Sequence, residues 1–366
     1  VYKRQLYNSP FNNWTQAKNR QQQVLDAMVR AHLISRAEAD QAYAEDLSPA
    51  NGKMFGPRPE VNAAPGFTYW VMDQIRAKYG QQVLEGGGLR VVTTLNVGLQ
   101  SIAEQAMINQ LNDQRWRHVS QGALVSIDPR SGAVVAMVGA ADPNGPDSQN
   151  NFAVWPPRNP GSSFKVYNYA AAIASGKYTM VTPIADTPIT ITNQTPPWQP
   201  KNYDLKSHGT CQLQQCMGNS LNVPAVKVEI GTGVDKVAQM ARDMGAPPWV
   251  PQASGKYTVD DPLNAFGPSL TLGGYGETPL QMATGVSVLG AQGILHPPYS
   301  ISKITATDGT AIYDADPASQ AKQVLDPKVA FIMEQIMSDD NNRAMIFGRG
   351  SALTLPGRRV GAKTGT

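Results

Sequence analysis

Three short segments carry side chains that suit acyl transfer, and they follow one another along the chain: Ser162-Ser163-Phe164-Lys165, Ser220-Leu221-Asn222 and Lys363-Thr364-Gly365-Thr366. Ser162 supplies a hydroxyl nucleophile, and Lys165, three residues on, an amine to deprotonate it. Ser220 offers a proton relay and Asn222 an amide clamp. Lys363, with the hydroxyls of Thr364 and Thr366, offers a dock for a carboxylate. Gly365 would let a substrate backbone approach closely. As a set they describe ester formation on a serine, without the histidine that a Ser-His-Asp site needs.

Spacing alone does not single them out. Ser-x-x-Lys recurs at Ser300/Lys303 and Ser319/Lys322, and Ser-x-Asn at Ser148-Gln149-Asn150. Residues 299–305 alternate polar and apolar, so Ser300 and Lys303 are expected on opposite faces of a strand. Ser319/Lys322 lies in a polar stretch between two Asp-Pro pairs and reads as a solvated surface pair. Ser148-Gln149-Asn150 falls in a patternless loop.

Ser162 differs, because it follows Pro160-Gly161 and opens an apolar helical stretch. It therefore shares a face with Lys165, one turn apart. A hydroxyl at a helix start meets unpaired backbone N–H groups, which suit an anionic tetrahedral intermediate, and the amide of Thr366 is expected to join that of Ser162. Among Phe164, Val166 and Tyr167, Lys165 is expected to be desolvated, which lowers an amine's pKa. Taken singly, each segment also has a plain reading: an N-cap with a surface lysine, a pair of C-caps, and an exposed strand end.

These residues need elements to position them. Val24, Leu25, Met28 and Val29 recur at helical spacing, and Ser35 with Glu38 forms a capping-box start for a helix through Ala42. Residues 48–66 are rich in Pro, Gly and Asn, the composition of a linker. A helix is expected over 67–79 and a strand over 89–95. Leu99, Ile102, Ala103, Ala106, Met107 and Leu111 then form an apolar helical stripe. Segments 123–127 and 133–138 read as a hairpin around Asp128-Pro129-Arg130-Ser131-Gly132. Residues 142–160 are loop. The helix opened by Ser162 should stop near Gly176, and a second one should start near Gln212 and break at Val223-Pro224. Residues 300–305 with the turn Asp308-Gly309 suggest another hairpin, and 359–366 a further strand.

With 366 residues, 41% hydrophobic and 16% charged, the chain fits one large globular domain plus a smaller one, or two medium ones. The net charge of +3, with Lys and Arg scattered, gives no footing for nucleic acid. No run of about 18 apolar residues is present. The chain opens on Val1 and stops inside a segment of interest, so a fragment is expected, compatible with a membrane anchor upstream. Cys211 and Cys216 are expected as two small buried residues. One of them falls in an expected helix, which would turn them apart, and a disulfide is the alternative.

Ser-x-x-Lys, Ser-x-Asn and Lys-Thr-Gly in this order resemble the signature of penicillin-binding proteins. The surrounding residues extend the likeness: Arg158-Asn159-Pro160-Gly161, Asn219 and Val223-Pro224-Ala225-Val226, Pro268-Ser269-Leu270-Thr271-Leu272-Gly273, and Thr278-Pro279-Leu280-Gln281-Met282-Ala283. The first residues, including Tyr7-Asn8-Ser9-Pro10 and Glu38-Ala39, look like the tail of a peptidoglycan glycosyltransferase domain, as in class A, bifunctional members. The resemblance implies an α+β, serine β-lactamase-like transpeptidase fold, with an antiparallel sheet, a helical cluster and further strands and a helix after Thr366. It implies a glycosyltransferase remnant at 1–46, a linker region at 47–120 and the transpeptidase domain at 121–366.

The implied activity is D,D-transpeptidation of peptidoglycan stem peptides ending in D-Ala-D-Ala, outside the cytoplasmic membrane. Ser162, Lys165 and Ser220 would be catalytic, and Asn222, Lys363, Thr364, Gly365 and Thr366 would bind substrate. β-Lactams would acylate Ser162, and lipid II would meet the upstream domain. No cofactor or metal is implied. The alternatives are a D,D-carboxypeptidase or β-lactamase, and a β-lactam-sensing module.

Overall fold

A computed structural model of the chain describes residues 13–48, 63–81, 83, 88–145, 147–192, 196–251 and 257–366. The Tyr7-Asn8-Ser9-Pro10 segment and most of the expected 48–66 linker lie outside the described residues. The chain divides into two compact units, 1–63 and 64–366.

The first unit is a helix pair, α1 (Trp14–Arg30) and α2 (Arg36–Ala44). Ser35 Oγ accepts from Glu38 N at 3.2 Å, and Glu38 Oε2 accepts from Ser35 N at 2.7 Å. This is the expected capping box, and it satisfies two amides that a helix start leaves unpaired.

The second unit begins with α3 (Pro65–Tyr79), started by a proline in its first turn. Strand β1 (Arg90–Thr93), helix α4 (Val97–Gln114) and the antiparallel hairpin β2 (Leu124–Ile127) and β3 (Val134–Val138) follow. Phe67, Val71 and Ile75 of α3 are buried in one apolar cluster with Val134, Met137, Ala153 and Ile304. From Ala64 on, then, the stretch expected as linker is part of a packed layer.

The stripe expected on α4 is only partly buried. Ala103 and Leu111 face inward, but Leu99 and Ile102 are 44% and 67% exposed. The helix instead turns Gln100 to the sheet, where its amide both accepts from Met137 N and donates to Met137 O. Pairing an edge strand's backbone outweighed burying two more aliphatic side chains.

Helix α5 (Lys165–Ala174) is the centre of the larger core, and every residue from Lys165 to Ile173 is buried. A helix apolar all round needs neighbours on every side. They are α6 (Leu213–Gly218), α7 (Asn222–Thr232), α8 (Val234–Asp243), α9 (Pro279–Gly290) and α10 (Pro327–Ser338), which share one apolar cluster with it. Strands β4 (Pro183–Asp186) and β5 (Gly209–Gln212) pair antiparallel beside this cluster, as do the two-residue strands β6 (Ile294–Leu295) and β9 (Lys322–Gln323). Strands β7 (Ile301–Thr305) and β8 (Ala311–Asp314) form the expected late hairpin and join β1 in the order β1-β7-β8.

Three expectations are corrected. Cys211 and Cys216 form a disulfide. Cys211 lies in β5, not in the helix, and the turn from β5 into α6 brings the two Cα atoms to 5.8 Å. Val223-Pro224 does not break a helix; it lies in the first turn of α7, where proline's missing N–H costs nothing. Residues 359–366 form no strand, and the amide of Ala362 donates to Met337 O at the end of α10.

Candidate active site

Pro160 ends the long loop, and Gly161, at φ +60°, turns the chain into a 3-10 turn (Gly161–Phe164) that runs into α5. A Cβ on Gly161 would overlap the backbone of Thr366, and one on Gly365 would lie 2.6 Å from Pro160 O. These two glycines therefore let the chain end lie directly against the turn that carries Ser162.

Ser162 is buried, and Lys165 is completely so. The Lys165 Nζ lies 3.0 Å from Ser162 Oγ, 2.7 Å from Ser220 O and 2.6 Å from Asn222 Oδ1. Ser220 Oγ is farther, at 3.5 Å. Burial, reinforced by the nearby Lys363 charge, pushes the Lys165 amine well below its ordinary value. Lys363 Nζ donates to Ser220 Oγ and to Thr364 O, each at 2.8 Å. Burial pushes Lys363 down to about 7.

Ser220 is held by the end of α6. Leu221 N donates to Cys216 O and Ser220 N to Met217 O, which is the paired bonding of a Schellman motif. The residue at its left-handed position is Ser220, at φ +58°. The chain then leaves directly into α7, whose first residue is Asn222. Ser220 and Asn222 thus sit between two helices rather than at the end of one.

Five of the eight candidates, Ser162, Lys165, Ser220, Asn222 and Lys363, are joined side chain to side chain by these bonds. Thr364 joins through its carbonyl, and Gly365 and Thr366 are exposed beside the turn. Asn222 does more than the amide clamp expected of it: Oδ1 accepts from Lys165, and Nδ2 donates to Lys201 O at 2.8 Å.

Sequence reading passed over Asn202. It is buried, accepts from Asn222 N at 2.8 Å, and is fixed by Asp186 Oδ2 at 2.7 Å. A loop asparagine twenty residues away from its partner leaves no periodic trace. The decoys stay apart, as expected: Ser300 is buried and bonded to Gln74, while Lys303 pairs with Asp314 on the surface.

A chain of buried hydrogen bonds runs from a serine through a lysine and a second serine to a second lysine, beside an exposed backbone edge. That arrangement suits serine acylation. The family described as the penicillin binding protein transpeptidase domain matches residues 122–366. Penicillin-binding protein 2D of Bacillus subtilis is 31% identical, over 98% of this chain and 50% of its own length. Penicillin-binding protein 1B of Escherichia coli is 27% identical, over 99% of this chain and 41% of its own. The chain thus spans about half the length of the curated relatives it matches. Among solved structures, the penicillin-binding protein PonA1 from Mycobacterium tuberculosis matches with a TM-score of 0.62 and 26% identity, over 75% of this chain and 69% of that one. The same protein has been solved in complex with penicillin V. The expected α+β transpeptidase fold is borne out, and the chain belongs to the penicillin-binding protein transpeptidase family.

Proposed function

We propose that this domain is a D,D-transpeptidase, which crosslinks peptidoglycan stem peptides through an ester on Ser162. One observation carries the reading: the hydrogen-bond count at Lys165. A neutral primary amine has two protons and one lone pair. Both protons have acceptors at short range, Ser220 O at 2.7 Å and Asn222 Oδ1 at 2.6 Å. The lone pair is left for the Ser162 hydroxyl at 3.0 Å. Burial keeps the amine neutral, as a general base requires.

In this reading Ser162 Oγ attacks the carbonyl carbon of the penultimate D-alanine as its proton passes to Lys165 Nζ. The oxyanion is met by the amides of Ser162 and Thr366. Ser220, whose oxygen accepts from Lys363, gives its own proton to the leaving amine of the terminal D-alanine and is reprotonated from Lys165. Lys363 and the hydroxyls of Thr364 and Thr366 hold the terminal carboxylate, and Gly365 keeps the edge open to the peptide backbone. The amine of a second stem peptide then attacks the ester, returning its proton through the same groups and freeing Ser162. A β-lactam follows the first half of this path, with its ring nitrogen leaving but staying tethered, so the ester lingers. The complex of PonA1 with penicillin V supports that class of ligand.

For the protein as a whole, the likeness to penicillin-binding proteins 1A and 1B supports a bifunctional, class A assignment. Residues 1–46 then close a glycosyltransferase domain that uses lipid II, 47–120 link it onward, and 121–366 belong to the transpeptidase. Such a protein works outside the cytoplasmic membrane and is anchored to it; no helix among the described residues is long and apolar enough to cross a membrane.

The test is labelling of the intact protein with a fluorescent penicillin, followed by product analysis with a D-Ala-D-Ala peptide and an amine acceptor. The wild type should label and form the crosslinked amide, and Ser162→Ala should do neither. Persistent labelling of Ser162→Ala would overturn the assignment of the nucleophile, and free acid as the sole product would overturn transpeptidation in favour of hydrolysis.

A further inference from the structure

Behind the nucleophile, three buried polar side chains from three separate elements meet. Asn168 lies on α5 one turn beyond Lys165. Its Nδ2 donates to Ala225 O on α7 at 2.9 Å and to Thr271 Oγ1 at 2.8 Å. Thr271 N donates to Glu229 Oε1 at 2.9 Å, and Glu229 lies on α7 two turns beyond Asn222. All three are buried, at 0% exposure each. Buried polar side chains in an otherwise apolar core are costly unless bonded, and once bonded they admit few alternative arrangements.

The element that carries Thr271 is a single 3-10 turn (Leu270–Leu272) closed by Gly273 at φ +72°. A Cβ on Gly273 would overlap the backbone of Gly161, so the two chains meet with no side chain between them. The peptide at the contact is the one that leads into Ser162 and orients its N–H. Thr271, gripped from α5 by Asn168 and from α7 by Glu229, therefore holds the backstop against which that peptide rests. Through Ala225, Asn168 also ties the helix of Lys165 to the helix of Asn222.

We infer that Asn168, Thr271 and Glu229 are positioning residues for acylation, which fix the Ser162 amide and the Lys165–Asn222 spacing together without touching substrate. The inference rests on the reading of Ser162 as the acylated residue. Misplacing reacting groups by a fraction of an ångström slows the chemical step more than it weakens binding. A core bond that served folding alone would change the melting temperature and leave that step intact.

The experiment is stopped-flow acylation of the intact protein by a fluorescent penicillin, resolved into the dissociation constant and the first-order acylation rate, with a thermal melt of each variant. Thr271→Val, of nearly equal shape, and Glu229→Leu should each slow acylation by about tenfold or more, with binding changed by less than about threefold. Thr271→Ser keeps the hydroxyl and Glu229→Gln keeps the oxygen that Thr271 N needs, so both should restore the rate. Lowered melting temperatures with unchanged acylation rates would overturn the inference, as would Glu229→Gln behaving like Glu229→Leu. If Glu229→Leu does not fold, the Thr271 pair decides alone, and equal rates in Val and Ser overturn the inference. Labelling of Ser162→Ala is a separate failure, of the acyl-enzyme reading itself.

Discussion

A serine at φ +58° costs about 1–2 kcal/mol, because its Cβ crowds the following carbonyl, and glycine would avoid that cost. The Schellman turn that holds Ser220 would fold more easily with glycine there, so the hydroxyl is kept at the expense of the backbone. Ser220→Gly and Ser220→Ala both lose the hydroxyl, and both should acylate slowly. In urea melts, however, the alanine variant should be the less stable by about 1 kcal/mol. Equal stabilities would show that the turn is unstrained. Lys363 gives a prediction in pH. Its cation, depressed to about 7 by burial, is present below that pH in the free protein and lost above it. The ratio of acylation rate to dissociation constant reports free-protein ionisations, so it should fall as pH rises through about 7–8. Lys363→Arg, which stays charged, should remove that fall even if its plateau is lower. A wild-type profile flat from pH 6 to 9 would count against Lys363 as the carboxylate dock. Ser162 and Lys165 were legible in the sequence because both lie on one short helical turn, where spacing gives proximity. Asn202, Thr271 and Glu229 were not, since their partners are brought in by tertiary packing alone.

Elements that bury a regular face were also legible: α3, the β2–β3 hairpin, α5 and the β7–β8 hairpin all fall where periodicity and turn residues put them. Failures came where a polar group satisfied backbone at the expense of apolar burial, as Gln100 does on α4, or where an element boundary was misjudged. The disulfide is the second kind. Placing Cys211 in a helix turned the two thiols apart, whereas ending β5 at Gln212 turns them together. Cys216 also supplies the carbonyl that accepts from Leu221 N, so the bridge braces the very turn that presents Ser220. For a ring this small, the entropic gain is about 2 kcal/mol. The double variant Cys211→Ala/Cys216→Ala should therefore melt several degrees lower. It should also slow acylation more than its effect on penicillin binding would suggest. A double variant equal to the wild type in both respects would show the bridge to be dispensable to the α6 cap.

For the whole unit, the buried ionisable groups set how stability responds to pH, and they act in opposite directions. Lys165 is held neutral by burial, so below its ordinary value of 10.5 the unfolded chain binds more protons than the folded one, and this group makes stability rise with pH. Glu229 and Glu277 are also held neutral by burial, with pKa values pushed well above 4.5. Above pH 4.5 the folded form binds more protons, so their contribution is fully present below that pH and is lost as pH rises toward the folded values. Each carboxyl can lower stability by up to about 1.4 kcal/mol per pH unit across that window. The opposing slopes should leave the wild-type melting temperature nearly level from pH 5 to 8. In Glu229→Gln/Glu277→Gln the falling contribution is gone and the lysine contribution remains. Its melting temperature should therefore gain steadily on the wild type as pH is raised, with the smallest difference near pH 4.5. Calorimetry of the two proteins across this range makes the comparison. Parallel curves would mean that the two carboxyls are ionised in the fold, and so stand in a far more polar environment than their burial implies.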